Sequence, residues 1–223
     1  MERGEPCHRE KGLLAVLSKP RIYNLFHSII GKKRSRIRFV QKCINPFPGC
    51  KILDIGCGTA VILSYLPNSI GQYNGFDMNQ SYIEFAKKRW KDKANTRFFC
   101  QRVEDARIVE TEYYDIVLAI GILHHLTDSE ASGLFNITNQ ALKVNGVFIT
   151  YDNVYVENQH WFAKWFISRD RGQAVRTVDG YKRLAAQYFI DIEGDVLHDT
   201  LKVPYTIFTM RCIKRNLTKQ LSS

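Results

Sequence analysis

The stretch Lys51-Ile-Leu-Asp-Ile-Gly-Cys-Gly-Thr-Ala60 constrains this chain more than any other. Ile52 to Ile55 read as a short buried strand whose only charge is Asp54. Gly56-Cys57-Gly58 ends it, and Val61, Ile62, Tyr65 and Leu66 resume the apolar pattern at helical spacing. Strand, glycine turn and helix together bring backbone N–H groups and a helix N-terminus to a polar ligand. A side chain at Gly56 or Gly58 would obstruct that approach. A dinucleotide turn would need its third glycine where Val61 stands. The acid two residues ahead of Gly56 suits a cationic ligand better than a pyrophosphate.

Downstream, strand and helix patterns alternate. Gly71 to Phe76 lead to Asp77, 19 residues after Gly58, close to the spacing of a ribose-binding carboxylate. Asn79 is placed to cap a helix running through Trp90. Thr96 to Gln101 read as a third strand, and Tyr114 to Ile120 as a fourth, nearly continuous in apolar residues as a central parallel strand is. Ser129 is the expected cap of the next helix, Asn145-Gly146 its end, and Val147 to Tyr151 a fifth strand finishing at Asp152. Thr177 to Phe189 read as a helix, with strands over Ile190 to Leu197 and Tyr205 to Ile213. Such alternation predicts a doubly wound, mostly parallel seven-stranded α/β sheet with an antiparallel last strand.

Charge is unevenly placed. Of the net +10, residues 1–50 carry +8, 214–223 carry +3 and 51–213 carry −1. The chain is read as one domain over 1–223: a basic helical lid (1–49), a cofactor-binding half (50–152), an acceptor-side cover with the last strands (153–213) and a basic tail (214–223). The lid is expected to hold helices over Leu13–Leu17, Arg21–Gly31 and Arg34–Cys43, with Lys32, Lys33, Arg34, Arg36 and Arg38 forming a basic cluster. The plain reading of that cluster is a solvated face; the sharper ones are contact with an anionic substrate, such as a phosphorylated or nucleotide-linked one, or with an anionic membrane surface, while a near-neutral core does not favour nucleic acid. Six cysteines without a C-x-x-C pair, and no apolar export or spanning segment, point to reduced thiols in the cytoplasm.

The stretch D-I-G-C-G-T-A resembles motif I (D/E-x-G-x-G-x-G) of the class I S-adenosylmethionine-dependent methyltransferases, with Ala60 in place of the last glycine. The resemblance continues through Asp77, the loop Val103-Glu104-Asp105-Ala106 and Gly121-Ile-Leu-His-His-Leu126. Pro20-Arg-Ile-Tyr-Asn-Leu-Phe26, Asp170-Arg-Gly172 and Pro204-Tyr-Thr206 are similar to a bacterial group of such enzymes with largely unassigned substrates. It implies S-adenosylmethionine as donor and S-adenosylhomocysteine as product. The residues implied to hold them are Asp54, Gly56, Cys57, Gly58, Asp77, Met78, Val103, Glu104, Ile120 and the lid's Tyr23.

For the acceptor, the resemblance implies a His after strand four and an acid after strand five as base and orienter. His125 with Asp152 is the favoured pair, with His124 the other candidate. Asp152-Asn153 could suggest a metal-dependent enzyme, but the partner position at Ala119-Ile120-Gly121 holds no acid, so no metal is expected. The expected reaction is O-methylation of a small molecule such as a sugar or secondary metabolite. The alternatives are an RNA or lipid methyltransferase recruited by the basic arm, and a cofactor-binding partner subunit without activity. Oligomeric state is not legible.

Overall fold

Alternation along the first strand splits its side chains between two cores. In β1 (Lys51–Ile55), Ile52 joins one buried cluster, and Leu53 and Ile55 the other. The computed structural model describes residues 33–102, 110–157, 159, 161–168, 174–198 and 206–216. The first two lid helices, Tyr23, Lys32, Val103, Glu104 and residues 217–223 lie outside the described residues.

Around β1 the sheet takes in β2 (Gln72–Asp77), β3 (Thr96–Cys100), β4 (Tyr114–Ile120), β5 (Leu142–Tyr155), β7 (Asp191–Leu197) and β8 (Ile207–Ile213). Their order is β3-β2-β1-β4-β5-β8-β7, and a two-residue strand β6 (Arg176–Thr177) pairs with β5 off this path. β1 to β5 run parallel, while β8 is antiparallel to both β5 and β7. The doubly wound sheet with its antiparallel last strand is therefore the observed fold, with β6 as an addition. Chain order reverses between β1 and β4, so the segments leaving their carboxyl ends diverge and open a crevice there.

Helices cover both faces. On one, α1 (Lys33–Phe39), its π-helical continuation Val40–Ile44 and α2 (Gln80–Arg89) bring Phe39, Ile44 and Ile83 against Ile52, Tyr73 and Leu118. On the other, α3 (Asp128–Ala141) and α5 (Val178–Ala185) bring Phe135 and Tyr181 against Leu53, Val117 and Phe208. A further helix, α4 (Trp161–Ser168), follows β5. Fully burying each such side chain is worth about 1.5–3 kcal/mol, which is why β4, apolar on both faces, sits mid-sheet. On α1, Lys33, Arg34 and Arg38 are exposed, while Arg36 donates to the Tyr65 hydroxyl at 3.4 Å.

Three local expectations are corrected. The helix expected after the glycine turn is a single 3-10 turn, Val61–Ser64. Pro67 has no N–H and disfavours the α region at Leu66, so the winding cannot continue. The helix expected to end at Asn145-Gly146 ends at Ala141, and β5 begins at Leu142 with an irregular register beside Tyr114 and Ile116. Asn145 takes the left-handed φ of 66° inside that irregularity, so its turn signal marks a strand distortion instead of a helix end. β5 also runs past Asp152 to Tyr155.

The third correction is the cap of α3. Thr127, not Ser129, supplies it: its Oγ1 accepts from Glu130 N at 3.3 Å, and Glu130 Oε2 accepts from Thr127 N at 2.8 Å. The reciprocal Thr-x-x-Glu pair satisfies two donors, which Ser129 at the second helical position cannot do. Thr127→Ala should lower the unfolding free energy by about 1 kcal/mol in urea titrations, with Ser129→Ala close to wild type. The reverse ranking would refute the assignment.

Candidate active site

The glycine turn is held by its own protein. Gly56 N and Cys57 N both donate to Phe76 O, at 2.8 and 2.9 Å. Gly58 N donates to Asp77 Oδ2 at 2.9 Å, and Ala60 N to Cys57 O at 2.8 Å. These N–H groups are thus engaged within the chain, and no basic residue lies between Asp54 and Leu66. The turn supplies close approach and no phosphate cradle, in keeping with the acid that precedes it. Gly56 has φ +70°, and a Cβ there would lie 2.1 Å from Ile122 Cδ1 in the segment leaving β4. Ala60 sits at φ 52°, the left-handed conformation that explains why the resembling motif carries glycine there.

Asp77 ends β2 with its carboxylate in that crevice. Oδ1 accepts from Asn79 N at 2.8 Å and Oδ2 from Gly58 N. Burial raises its carboxyl above the ordinary value, and the two backbone donors oppose that rise. A carboxylate has about four acceptor sites, so two remain for the vicinal hydroxyls of a ribose. Met78 follows it, 52% exposed, and Ile120 stands at the end of β4 beside the turn. A glycine cradle without free amides and an acid with lone pairs to offer fit the nucleoside of S-adenosylmethionine.

Asp54 is deeper than the sequence suggested. It is 2% exposed and accepts a hydrogen bond from the phenol of Tyr73, on the neighbouring strand. Burial pushes its carboxyl up to about 7, the Tyr73 bond pulls it down, and Asp77 pushes it up again. Its place is beneath the turn. Burial, with Asp54 and Asp77 nearby, also raises the Cys57 thiol well above its ordinary value, which suits packing and not nucleophilic chemistry.

At the acceptor side, the structure brings His124, not His125, to Asp152. Asp152 Oδ1 accepts from His124 Nδ1 at 2.8 Å and from His124 N at 3.3 Å. The reason is the single 3-10 turn Leu123–His125, in which successive side chains point about 120° apart. One histidine turns in and the next turns out. His124 is buried, and His125 is exposed with its ring centre 4.1 Å from that of His124. Asp152 is 2% exposed, and its Oδ2 is buried without a hydrogen-bond partner. It lies one residue beyond Tyr151, which pairs with the last residue of β4, so it belongs to the same carboxyl edge as the glycine turn. Among the described residues, no group of three or more His, Cys, Asp or Glu is arranged to hold a metal ion.

Sequence reasoning missed Tyr73, Tyr181 and Arg176. Tyr181 donates to Asn153 O at 2.9 Å behind the dyad, and Arg176 binds the histidine turn. Nothing in their local sequence marks them, because each acts on a residue more than 15 positions away.

Residues 52–146 match a family model described as a methyltransferase domain. A ubiquinone biosynthesis O-methyltransferase of Bradyrhizobium diazoefficiens is 33% identical over 123 residues, covering 54% of this chain and 45% of that protein. One from Haemophilus ducreyi is 30% identical over 98 residues, covering 42% of each. The chain thus spans less than half the length of these curated relatives. Among solved structures, a Haemonchus contortus phosphoethanolamine N-methyltransferase 2, bound to phosphomonomethylethanolamine and S-adenosylhomocysteine, aligns with TM-score 0.71. Its identity is 15%, over 88% of this chain and 58% of that one. The [4+2]-cyclase SpnF aligns with TM-score 0.63 at 10% identity, over 81% of each chain. At such identities the structures speak for the fold alone, and the cyclase marks how far its chemistry can stray.

Asp54 makes a prediction of its own. An acid at about 7 in the folded chain and 3.8 in the unfolded one keeps in the fold a proton that the unfolded chain releases. Its contribution to stability is therefore complete below about 4 and is lost as pH rises to about 7. Between pH 5 and 8, wild type should lose roughly 3 kcal/mol relative to Asp54→Asn in urea unfolding. Parallel pH curves for the two proteins would contradict this account of the buried acid.

Proposed function

We propose that residues 52–146, which match a methyltransferase-domain model, form a class I S-adenosylmethionine-dependent methyltransferase domain, and that the chain methylates a hydroxyl oxygen of a small molecule. A sugar or secondary metabolite is the acceptor class, His124 the base and Asp152 its orienter. The observation that carries the reading is the 2.8 Å contact between His124 Nδ1 and Asp152 Oδ1 at the carboxyl edge of the sheet. Both of these relatives are O-methyltransferases, which favours oxygen as the acceptor atom.

When bound, S-adenosylmethionine supplies a methyl group on a sulfonium, whose S–CH₃ bond breaks with its electrons going to sulfur. The chain's part is position and proton transfer. Asp77 would hold the ribose and the glycine turn would admit the nucleoside closely. A carboxylate can only accept, so Nδ1 carries the imidazole proton and Nε2 offers its lone pair. Nε2 takes the acceptor hydroxyl's proton as oxygen forms its bond to carbon. Holding the acceptor oxygen in line with the S–CH₃ bond accounts for most of the rate, since the sulfonium would already give up a neutral thioether readily.

Two measurements test this reading. Asp77→Ala should weaken S-adenosylhomocysteine binding by about 1.5–3 kcal/mol in calorimetry, the range for hydrogen bonds to a charged group. With an acceptor found by methyl-transfer assay across an extract and mass identification of the product, His124→Ala should lower turnover by about 10²–10⁴. Donor-product affinity should be spared. Turnover that survives in both His124→Ala and Asp152→Asn would favour a nitrogen or sulfur acceptor methylated by positioning alone. A chain that binds the donor but methylates nothing would instead act as a partner subunit.

A further inference from the structure

His124 meets Asp152 only while the turn Leu123–His125 keeps one position over β5, and that turn is gripped by a single guanidinium. Arg176 Nη1 donates to Leu123 O at 2.9 Å and to Ala174 O at 3.0 Å. Nη2 donates to Leu126 O at 2.8 Å and to Asp128 Oδ1 at 2.6 Å, and Nε reaches the same Oδ1 at 2.9 Å. Arginine has five N–H donors, and these bonds employ all five. Two of the accepting carbonyls flank the histidine pair, one on each side.

The grip is also tied to the strand that carries the acid. Arg176 opens β6 and pairs with Val154, two residues after Asp152. Ala174 N returns a bond to His124 O at 3.1 Å. The guanidinium lies 5.7 Å from the Tyr181 ring centre, and the Tyr181 hydroxyl donates to Asn153 O. The Arg176 side chain is 10% exposed whereas that of Asp128 is 76% exposed, so the ion pair is the wet part of the contact and the carbonyl bonds are the dry part. A surface ion pair is worth little, but buried charged donors on backbone carbonyls fix geometry.

We propose that Arg176 is a positioning residue which locks the histidine turn to β5, so that His124 Nδ1 stays on Asp152, while itself touching neither donor nor acceptor. This rests on the reading of His124 and Asp152 as base and orienter. Lysine keeps the charge but has three donors on one atom, and cannot span carbonyls on both sides of the turn.

The first test needs no substrate. Proton NMR of wild type should show a downfield, exchange-protected imidazole N–H, assigned to His124 by its loss in His124→Gln. In Arg176→Lys that resonance should broaden away while the backbone amide spectrum stays folded. In Arg176→Ala, free guanidinium should restore it. In methyl-transfer assays, turnover of Arg176→Lys should fall about 10²-fold with KM for S-adenosylmethionine unchanged, the usual penalty for a misplaced catalytic group. A resonance that persists in both variants, with only thermal stability reduced, would overturn the proposal. So would its absence from wild type. Loss of the resonance with turnover intact would uphold the lock and overturn His124 as the base.

Discussion

β1 is hydrogen-bonded on both sides, and the carboxyl edge of the sheet depends on that. Asp54 pairs with Gly75 on one flank and Leu118 on the other, so the chain has one direction in which to leave the strand. Phe76 O then receives two N–H groups from the turn and Asp77 a third. The last residues of β2 thus shape the loop of β1 while presenting their own acid. A turn fastened from below can be open above.

The same edge shows how buried acids are managed. Asp54 has one phenol and Asp152 one histidine, both on a neighbouring element, and neither acid meets a lysine or arginine in the described contacts. Burying a carboxylate beside a neutral donor leaves it under-solvated, which is why the Asp54 carboxyl is pushed up so far. Asp152 Oδ2, buried without a hydrogen-bond partner, leaves the second acid under-satisfied at the place where chemistry is proposed.

The helical layers do different work on the two faces. α1 and α2 complete a mostly apolar core whose contribution is stability. α3 and α5 bracket the histidine turn: the Thr127 cap starts immediately after it, and Arg176 and Thr177 begin the segment that holds it from the far side. Placing the two histidines on a one-turn 3-10 helix sets which of them faces inward. It also leaves that turn in need of outside support, since so short a helix has few bonds of its own.

Periodicity and local chemistry determined much of this protein. The runs Ile52–Ile55 and Tyr114–Ile120, the cap at Asn79 and the spacing to Asp77 were enough for the parallel sheet and for an acid at its carboxyl edge, because each depends on residues close in sequence. Where local signals misled, a stronger neighbour had intervened: Pro67 cut the helix after the turn, and the pairing of Asn145 with Lys214 drew a helix-ending signal into a strand. Tertiary structure alone decided which of two adjacent histidines meets Asp152, that Asp54 is covered by Tyr73, and that Arg176 holds the turn. Those are contacts between 19 and 53 residues apart in the chain. Side-chain direction in a single 3-10 turn, and register between strands, are fixed by packing across the sheet, and no window of sequence contains both partners.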